Sequence, residues 1–543
     1  MRRRVVEYTA ASDGVVVRTR LLGAMRRHTE ADLRSSGLVV CGHHSTADAF
    51  KTNATHHQVD ASLRRTFRRL DVMPAQQARG ACLPTPRSAP ARAPAQPACV
   101  TVDSRIAPSA EPQTLQALMV LTPTHTERMV QLARVMDHHC SPARRESVAR
   151  VLFVDGSATL QGAFKFASVT QALLAAAEGD VVAVRPGTYE ELGGIAVPAS
   201  VTVLAVAGST SEDDARQRAH SVRTKACAHA RRAAELSTTF SVAAKSLPRS
   251  EFLGDACDGE ASGPSIKESL HVPARHTLVV SAESTLASHA LLAGFKLLFT
   301  NGGHDTHPGP RRHSNRPVHV VSATNRSHGA ALSHCAFEVV SCGAVTCVAA
   351  CTRAALVVAS CSFTYRRPGG SAGTRPPPVG GLFAAGLSTL VVENSVLQGV
   401  GIEGRGGSCV MVKDTLVSST HKGGIRMHED AECGAHAVHV VGAGWAGVEL
   451  SGGARCVLSR STVCGSKKGG VLVQPACHLS MVACTVVGCA MAGVDVRSAS
   501  INLSDCTIAG GAGHGLYMHG RAQAFAQVRC LVPCVVLLLP QVE

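Results

Sequence analysis

Between residues 401 and 520, apolar and polar positions alternate in short bursts that recur every 22–23 residues. A glycine followed by an aliphatic residue marks each recurrence, at Gly401, Gly424, Gly447, Gly470, Gly493 and Gly515. Seven residues before it stand Val417, Val440, Val463, Val486 and Ile508. One after stand Ile425, Val448, Val471, Val494 and Leu516, and three after Met427, Leu450, Val473, Val496 and Met518. Small residues (Thr415, Val438, Ser461, Cys484, Cys506) precede the glycine by nine, and a further apolar pair precedes it by fourteen and twelve. Each pair is two residues apart, the period of a strand with one buried side, so every repeat carries three short strands. Equivalent residues of successive repeats would stack at the inter-strand spacing of ~4.8 Å.

This pattern predicts an all-β solenoid, a right-handed single-stranded parallel β-helix with coils of 22–23 residues. The Leu/Asn signature of leucine-rich repeats is absent. The register extends upstream through Cys335 and Phe337, then Cys361 and Phe363, giving at least eight coils. We place the solenoid at 151–535, with loop insertions at 209–270, 302–317 and 366–381. Segment 209–270 is polar, Ala/Arg-rich and without alternation, and reads as a disordered loop. Ahead of the solenoid, 111–150 reads as a small helical module. Leu115, Leu118 and Leu121 recur at helical spacing, as do Met129, Leu132, Ala133 and Met136 after Pro123. Ser141 with Pro142 signals one more helix start. Residues 1–110 read as disordered, with a Pro/Ala/Arg-rich linker at 83–98.

Composition agrees with a core built without large rings. Glycine is abundant at 50 residues, aromatics make up 3%, and there is one Trp. The 21 cysteines read as reduced, buried small side chains rather than a disulfide framework. The sequons at Asn53, Asn325 and Asn502 then read as coincidental. A formal charge of +15 invites a nucleic-acid reading. No basic groove interleaved with aromatics accompanies it, so nucleic acid is not an expected partner. No stretch reaches the ~20 apolar residues of a membrane span, and the first residues show no apolar signal core, so a cytoplasmic or nuclear location is expected. The fragments CGHH at 41–44 and HHC at 138–140 lack a second ligand pair, and neither metal nor cofactor is expected.

Chemistry would sit on the outward position between the two buried residues after each glycine. That ladder runs Glu403, Arg426, Glu449, Leu472, Asp495, Tyr517. Glu403 and Glu449, like Glu449 and Asp495, are two coils and so ~9.6 Å apart at the backbone. This nears the upper end of the separation used by inverting glycosidases. The intervening Arg426 and Leu472 break any acidic cleft, and alternating charges suit solvated cross-strand pairing. No catalytic residue is therefore assigned, and the ladder stands as a binding surface. Asp414, Arg460 and Asp505 share a turn position but form no Ca²⁺ cluster.

The segment FASVTQALLAAAEGDVVAVRPGTYEE (166–191), with the coils that follow, resembles the start of right-handed β-helices of the pectate-lyase-like superfold. Its look is nearest to intracellular members, the F-box proteins carrying a β-helix and the Shc SH2-domain-binding protein. That resemblance implies recognition of a protein partner rather than cleavage of sugars. PQTLQALMVLTPTHTERMVQLARVM (112–136) is similar to a degenerate F-box without its terminal Trp. The likeness implies adaptor docking of a ubiquitin ligase through Leu115, Leu118 and Leu121. The simpler reading of the same helices is a cap or a dimerisation element for the solenoid. The leading expectation is a non-enzymatic, intracellular scaffold for protein recognition, with a ubiquitin-ligase substrate receptor as its special case, and the alternative is a carbohydrate-binding or carbohydrate-active β-helix.

Overall fold

The computed structural model describes residues 6–11, 14–19, 40–42, 49–52, 121–139, 150–156, 164–191, 193–242, 275–300, 318–323, 327–340, 345–366, 380–509, 514–528 and 537–538. The chain divides into two units, Met1–Ala98 and Cys99–Glu543. In the first, strands Val6–Ala11, Gly14–Thr19, Val40–Gly42 and Ala49–Thr52 pair in one antiparallel sheet. Part of the segment expected to be disordered therefore forms strands.

The second unit is the right-handed parallel β-helix, with three parallel sheets wrapped around one core. Sheet I includes Thr389–Glu393, Cys409–Lys413, Glu432–His436 and Arg455–Ser459. Sheet II includes Leu416–Ser418, His439–Val441 and Thr462–Cys464. Sheet III includes Ile402–Gly404, Ile425–His428, Val448–Ser451, Val471–Val473, Val494–Arg497 and Leu516–His519. Each strand pairs in register with its equivalent in the next coil, as in Val417 with Val440 and Val440 with Val463. The predicted buried files are the core.

The repeat glycine is required for space. A Cβ on Gly447 would stand 2.8 Å from the Gly470 carbonyl oxygen and closer still to Val463, and Gly424, Gly470 and Gly493 are equally hemmed in. Between sheets I and II, one residue per coil takes the left-handed conformation. His334, Ser360, Asn394, Asp414, Ala437, Arg460, Ala483 and Asp505 all have φ of 46–54°. This is the role of the turn position holding Asp414, Arg460 and Asp505. The next residue belongs to the file of Cys, Ser and Thr. Its thiol or hydroxyl donates to the carbonyl two residues back, across the bend, in Cys335, Cys361, Ser395, Thr415, Ser461, Cys484 and Cys506. Seven of the eight coils carry a small donor in this file, and the eighth carries Val438. Thirteen cysteines of this unit, from Cys227 to Cys506, are free.

Helices α1 (Pro123–His139), α2 (Val169–Ala175) and α3 (Glu212–Val242) complete the unit. Helix α3 corrects the reading of 209–270 as a disordered loop as far as Val242, and 243–270 lies outside the described residues. It opens on a capping box, in which Ser211 Oγ accepts from Asp214 N at 3.2 Å and Asp214 accepts from Ser211 N. Ala215, Ala219, Ala226, Ala230 and Ala233 form a stripe of small side chains, fully or nearly fully buried. Along it the helix lies on the outer face of sheet I, against Val357, Val391, Met411 and Val457. Helix α1 shares that layer through Met129, Leu132, Ala133 and Met136. It is the solenoid cover of the simpler reading, and Leu121 is buried with it. Leu115, Leu118, the Ser141–Pro142 helix start, loop 302–317 and most of 366–381 lie outside the described residues.

Polar ties lock this layer. His125, wholly buried, meets Ser237 Oγ at 2.8 Å through Nδ1 and Val410 O at 3.4 Å through Nε2. Burial pushes its imidazole down to about 4, so a neutral ring makes both bonds. Glu393 receives His229 at 2.7 Å, Arg232 at 2.8 Å and Lys413 at 3.5 Å. Burial opposes its charge, but His229 and Arg232 outweigh that and hold the carboxyl below its usual range.

Candidate functional site

Among the described residues, sheet III carries no such cover. Its inward residues alternate with outward ones, and the outward file runs Phe383, Glu403, Arg426, Glu449, Leu472, Asp495, Tyr517 in unbroken register. The sequence ladder is therefore real as a line of neighbours. Two residues further along each coil runs a second file that the sequence reading missed, Arg405, His428, Ser451, Gln474, Arg497 and His519. Its signal was the same 22–23-residue offset, one strand position on.

The two files interlock into three groups. In the first, Glu403 is ion-paired with both Arg405 and Arg426. The Arg405 guanidinium also lies 5.9 Å from the Phe383 ring centre, and Phe383 stacks with His319 at 6.4 Å. In the second, Gln474 Nε2 donates to Glu449 Oε1 at 3.2 Å. Burial raises the Glu449 carboxyl, with Arg426 and Gln474 pulling the other way. His428 shares a hydrogen bond with Ser451 Oγ at 2.5 Å. Burial, then Arg426 and Arg405, push its imidazole down to about 4. In the third, Asp495 pairs with Arg497 at 2.7 Å and His519 at 3.5 Å. Tyr517 stands between His514 and His519, with ring centres 5.6 and 5.2 Å away.

Glu403 and Arg426 are thus brought into direct contact, and Asp495 and Tyr517 are neighbours. Leu472 separates Glu449 from Asp495 as the ladder predicted. Such a face offers hydroxyl-matching donors and acceptors beside flat rings. Glu403 and Asp495 are ion-paired with arginines, while Glu449 accepts from Gln474, so the three acids do not form one cleft. Among the described residues no cluster of three or more His, Cys, Asp or Glu is arranged to hold a metal ion. Among them, too, no helix is long and apolar enough to cross a membrane.

Residues 378–529 match the family model described as a right-handed β-helix region. No curated protein sequence matches the chain. Among solved structures it is similar to a double mutant of the periplasmic alginate epimerase AlgG, with 12% identity and a TM-score of 0.36. That match covers 45% of this chain and 60% of the epimerase, so the chain spans less than two thirds of that structure's length. It is also similar to the catalytic domain of a GH87 α-1,3-glucanase in complex with tetrasaccharides, at 8% identity and a TM-score of 0.36, covering 71% and 68%. A Family 28 exopolygalacturonase of Yersinia enterocolitica gives 8% identity and a TM-score of 0.32, covering 72% and 79%. At such identities and scores these likenesses carry no argument about chemistry.

Proposed function

We propose that the protein recognises carbohydrate, with an extended glycan lying along the outer face of sheet III. The observation that carries this reading is the double file itself. It sets alternating hydrogen-bond donors and acceptors at strand spacing and ends on Tyr517 with its flanking imidazoles. Saccharides are held by such groups, rings supplying apolar contact and planar side chains supplying hydroxyl partners. The reading is binding without hydrolysis. Glu403 is ion-paired with Arg405 and Arg426, and Asp495 with Arg497, so neither carboxylate stands free to act as acid or base.

Retention on immobilised polygalacturonate, alginate and α-1,3-glucan tests it, with Tyr517→Ala and Glu449→Gln as variants. Retention that drops at least tenfold in Tyr517→Ala supports the reading. Absence of retention by the folded protein on every glycan overturns it. New reducing ends, lost in Glu449→Gln, would replace binding with catalysis. The rival scaffold reading, with a ligase adaptor on 112–136, rests on Leu115 and Leu118, because the apolar face of α1 is taken up by the solenoid. Co-purification of an adaptor, abolished by Leu118→Asp, is its test. A reducing, intracellular site of action belongs to the proposal, since free buried cysteines suit it.

A further inference from the structure

The corner between sheets II and III presents a second surface, separate from the ladder. Lys422, Trp445, Lys468 and Met491 occupy the same turn position in four successive coils, each backbone N–H donating to the carbonyl of the one before. Trp445 is 45% exposed and Met491 53%, and Val441 lies exposed at the end of the adjoining strand. Large apolar side chains gathered at an exposed corner mark an interaction site more often than scattered ones do. The corner is rigid. Its inner file, Thr420, Ala443, Ser466 and Cys489, is buried, and Thr420 Oγ1 donates to Lys422 O at 2.9 Å.

The formally charged residues of the four turns, Lys422, Lys467 and Lys468, are all positive. Lys467 is exposed beside Lys468, whose ammonium stands 4.9 Å from the Trp445 ring centre. Among the described residues neither Lys467 nor Lys468 has a carboxylate within ion-pairing distance.

We propose that this corner docks an extended acidic segment of another protein, one that carries carboxylates and aliphatic side chains on the same face. The lysines call for negative charge, and Met491 and Val441 call for aliphatic contact that neither a sugar polymer nor a nucleobase supplies. Trp445 and Met491 are two coils apart, ~9.6 Å, which an extended peptide spans in about three residues at ~3.3 Å each. A second copy of this chain, at +15, does not match the charge.

The chain's only tryptophan reports on its own site. Titrating the full-length protein with an acetylated, amidated seven-residue peptide Glu-Glu-Leu-Leu-Glu-Glu-Leu, which presents both side chains on each face when extended, should give a saturable blue shift of Trp445 emission. The double variant Lys467→Glu, Lys468→Glu should weaken binding at least tenfold, and raised salt should weaken it too. Met491→Ser changes no charge and should weaken it severalfold, which keeps the test decisive if the double variant fails to fold. The proposal is overturned if the emission does not move. It is equally overturned if a Lys/Leu peptide moves it as much, or if a single-stranded oligonucleotide or polygalacturonate displaces the peptide.

Discussion

The outer faces of sheets I and III belong to the same coils, yet one is closed and the other open. On sheet I, Thr389–Glu393 is buried at every position, with Leu390 and Val392 in the solenoid core and Val391 against the helices. On sheet III, Val448–Ser451 alternates, with Val448 and Leu450 inside and Glu449 and Ser451 facing out. A coil can thus spend one face on stability and another on recognition. Small apolar residues accept a helix, whereas paired acids, arginines and histidines accept water or a ligand.

The largest effect should come from placing a charge on the closed face. Met411→Asp buries an unpaired carboxylate beneath α3 and should cost more than ~3 kcal/mol. Leu472→Asp, on the open face, should stay within ~0.5 kcal/mol. Denaturant midpoints of the two variants compare the faces directly, and equal losses would abolish the distinction. Next comes pH. The His125 imidazole lies below its unfolded value, so its contribution is full above about pH 6.5 and is lost as pH falls toward about 4. That amounts to ~3 kcal/mol across the window. His125→Asn should reduce the loss of stability between pH 6.5 and 4 in thermal melts, leaving the part due to His428, whose imidazole is also pushed down to about 4. An unchanged slope would mean that the helix layer does not govern acid sensitivity.

A smaller effect tests the wall that both faces share. Gly447→Ala forces a Cβ against Val463 and the next coil and should cost ~1–3 kcal/mol, read from the urea midpoint. The smallest should be a gain. Ala483→Gly relieves a left-handed alanine at φ 52° and should add ~0.5 kcal/mol after the entropy of glycine is counted.

The open face was largely legible beforehand. One repeat offset placed Glu403, Arg426, Glu449, Asp495 and Tyr517 on a single line, because stacking in register turns equal spacing into adjacency. The pairing of Asp495 with Arg497 and His519 was not, since it depends on side-chain reach within and between coils. The closed face left two signals unread. Ser211 with Asp214 is a helix start, and the alanines from 215 to 233 are a helix face, but exposed Arg and Glu side chains gave the segment a loop-like composition. Strands such as Cys409–Lys413, apolar at four successive positions, carried the mark of a sheet covered on both sides. The Cys, Ser and Thr file was readable as small, while its donor role needed the left-handed bend beside it.

The helix layer also sets an order of events at the ribosome. Helices α1 and α3 lie between residues 123 and 242, yet the sheet surface they cover runs on to Val457. Their apolar faces therefore emerge more than two hundred residues before the last of their cover is synthesised. Coils before that point close progressively under the waiting helices and become bound to one another through them. Coils after it, whose outward positions on sheet I include Ser480 and Asn502, add as independent turns. Partial unfolding should then begin at the C-terminal end and halt near Val457, where a one-dimensional stack becomes a cooperative body.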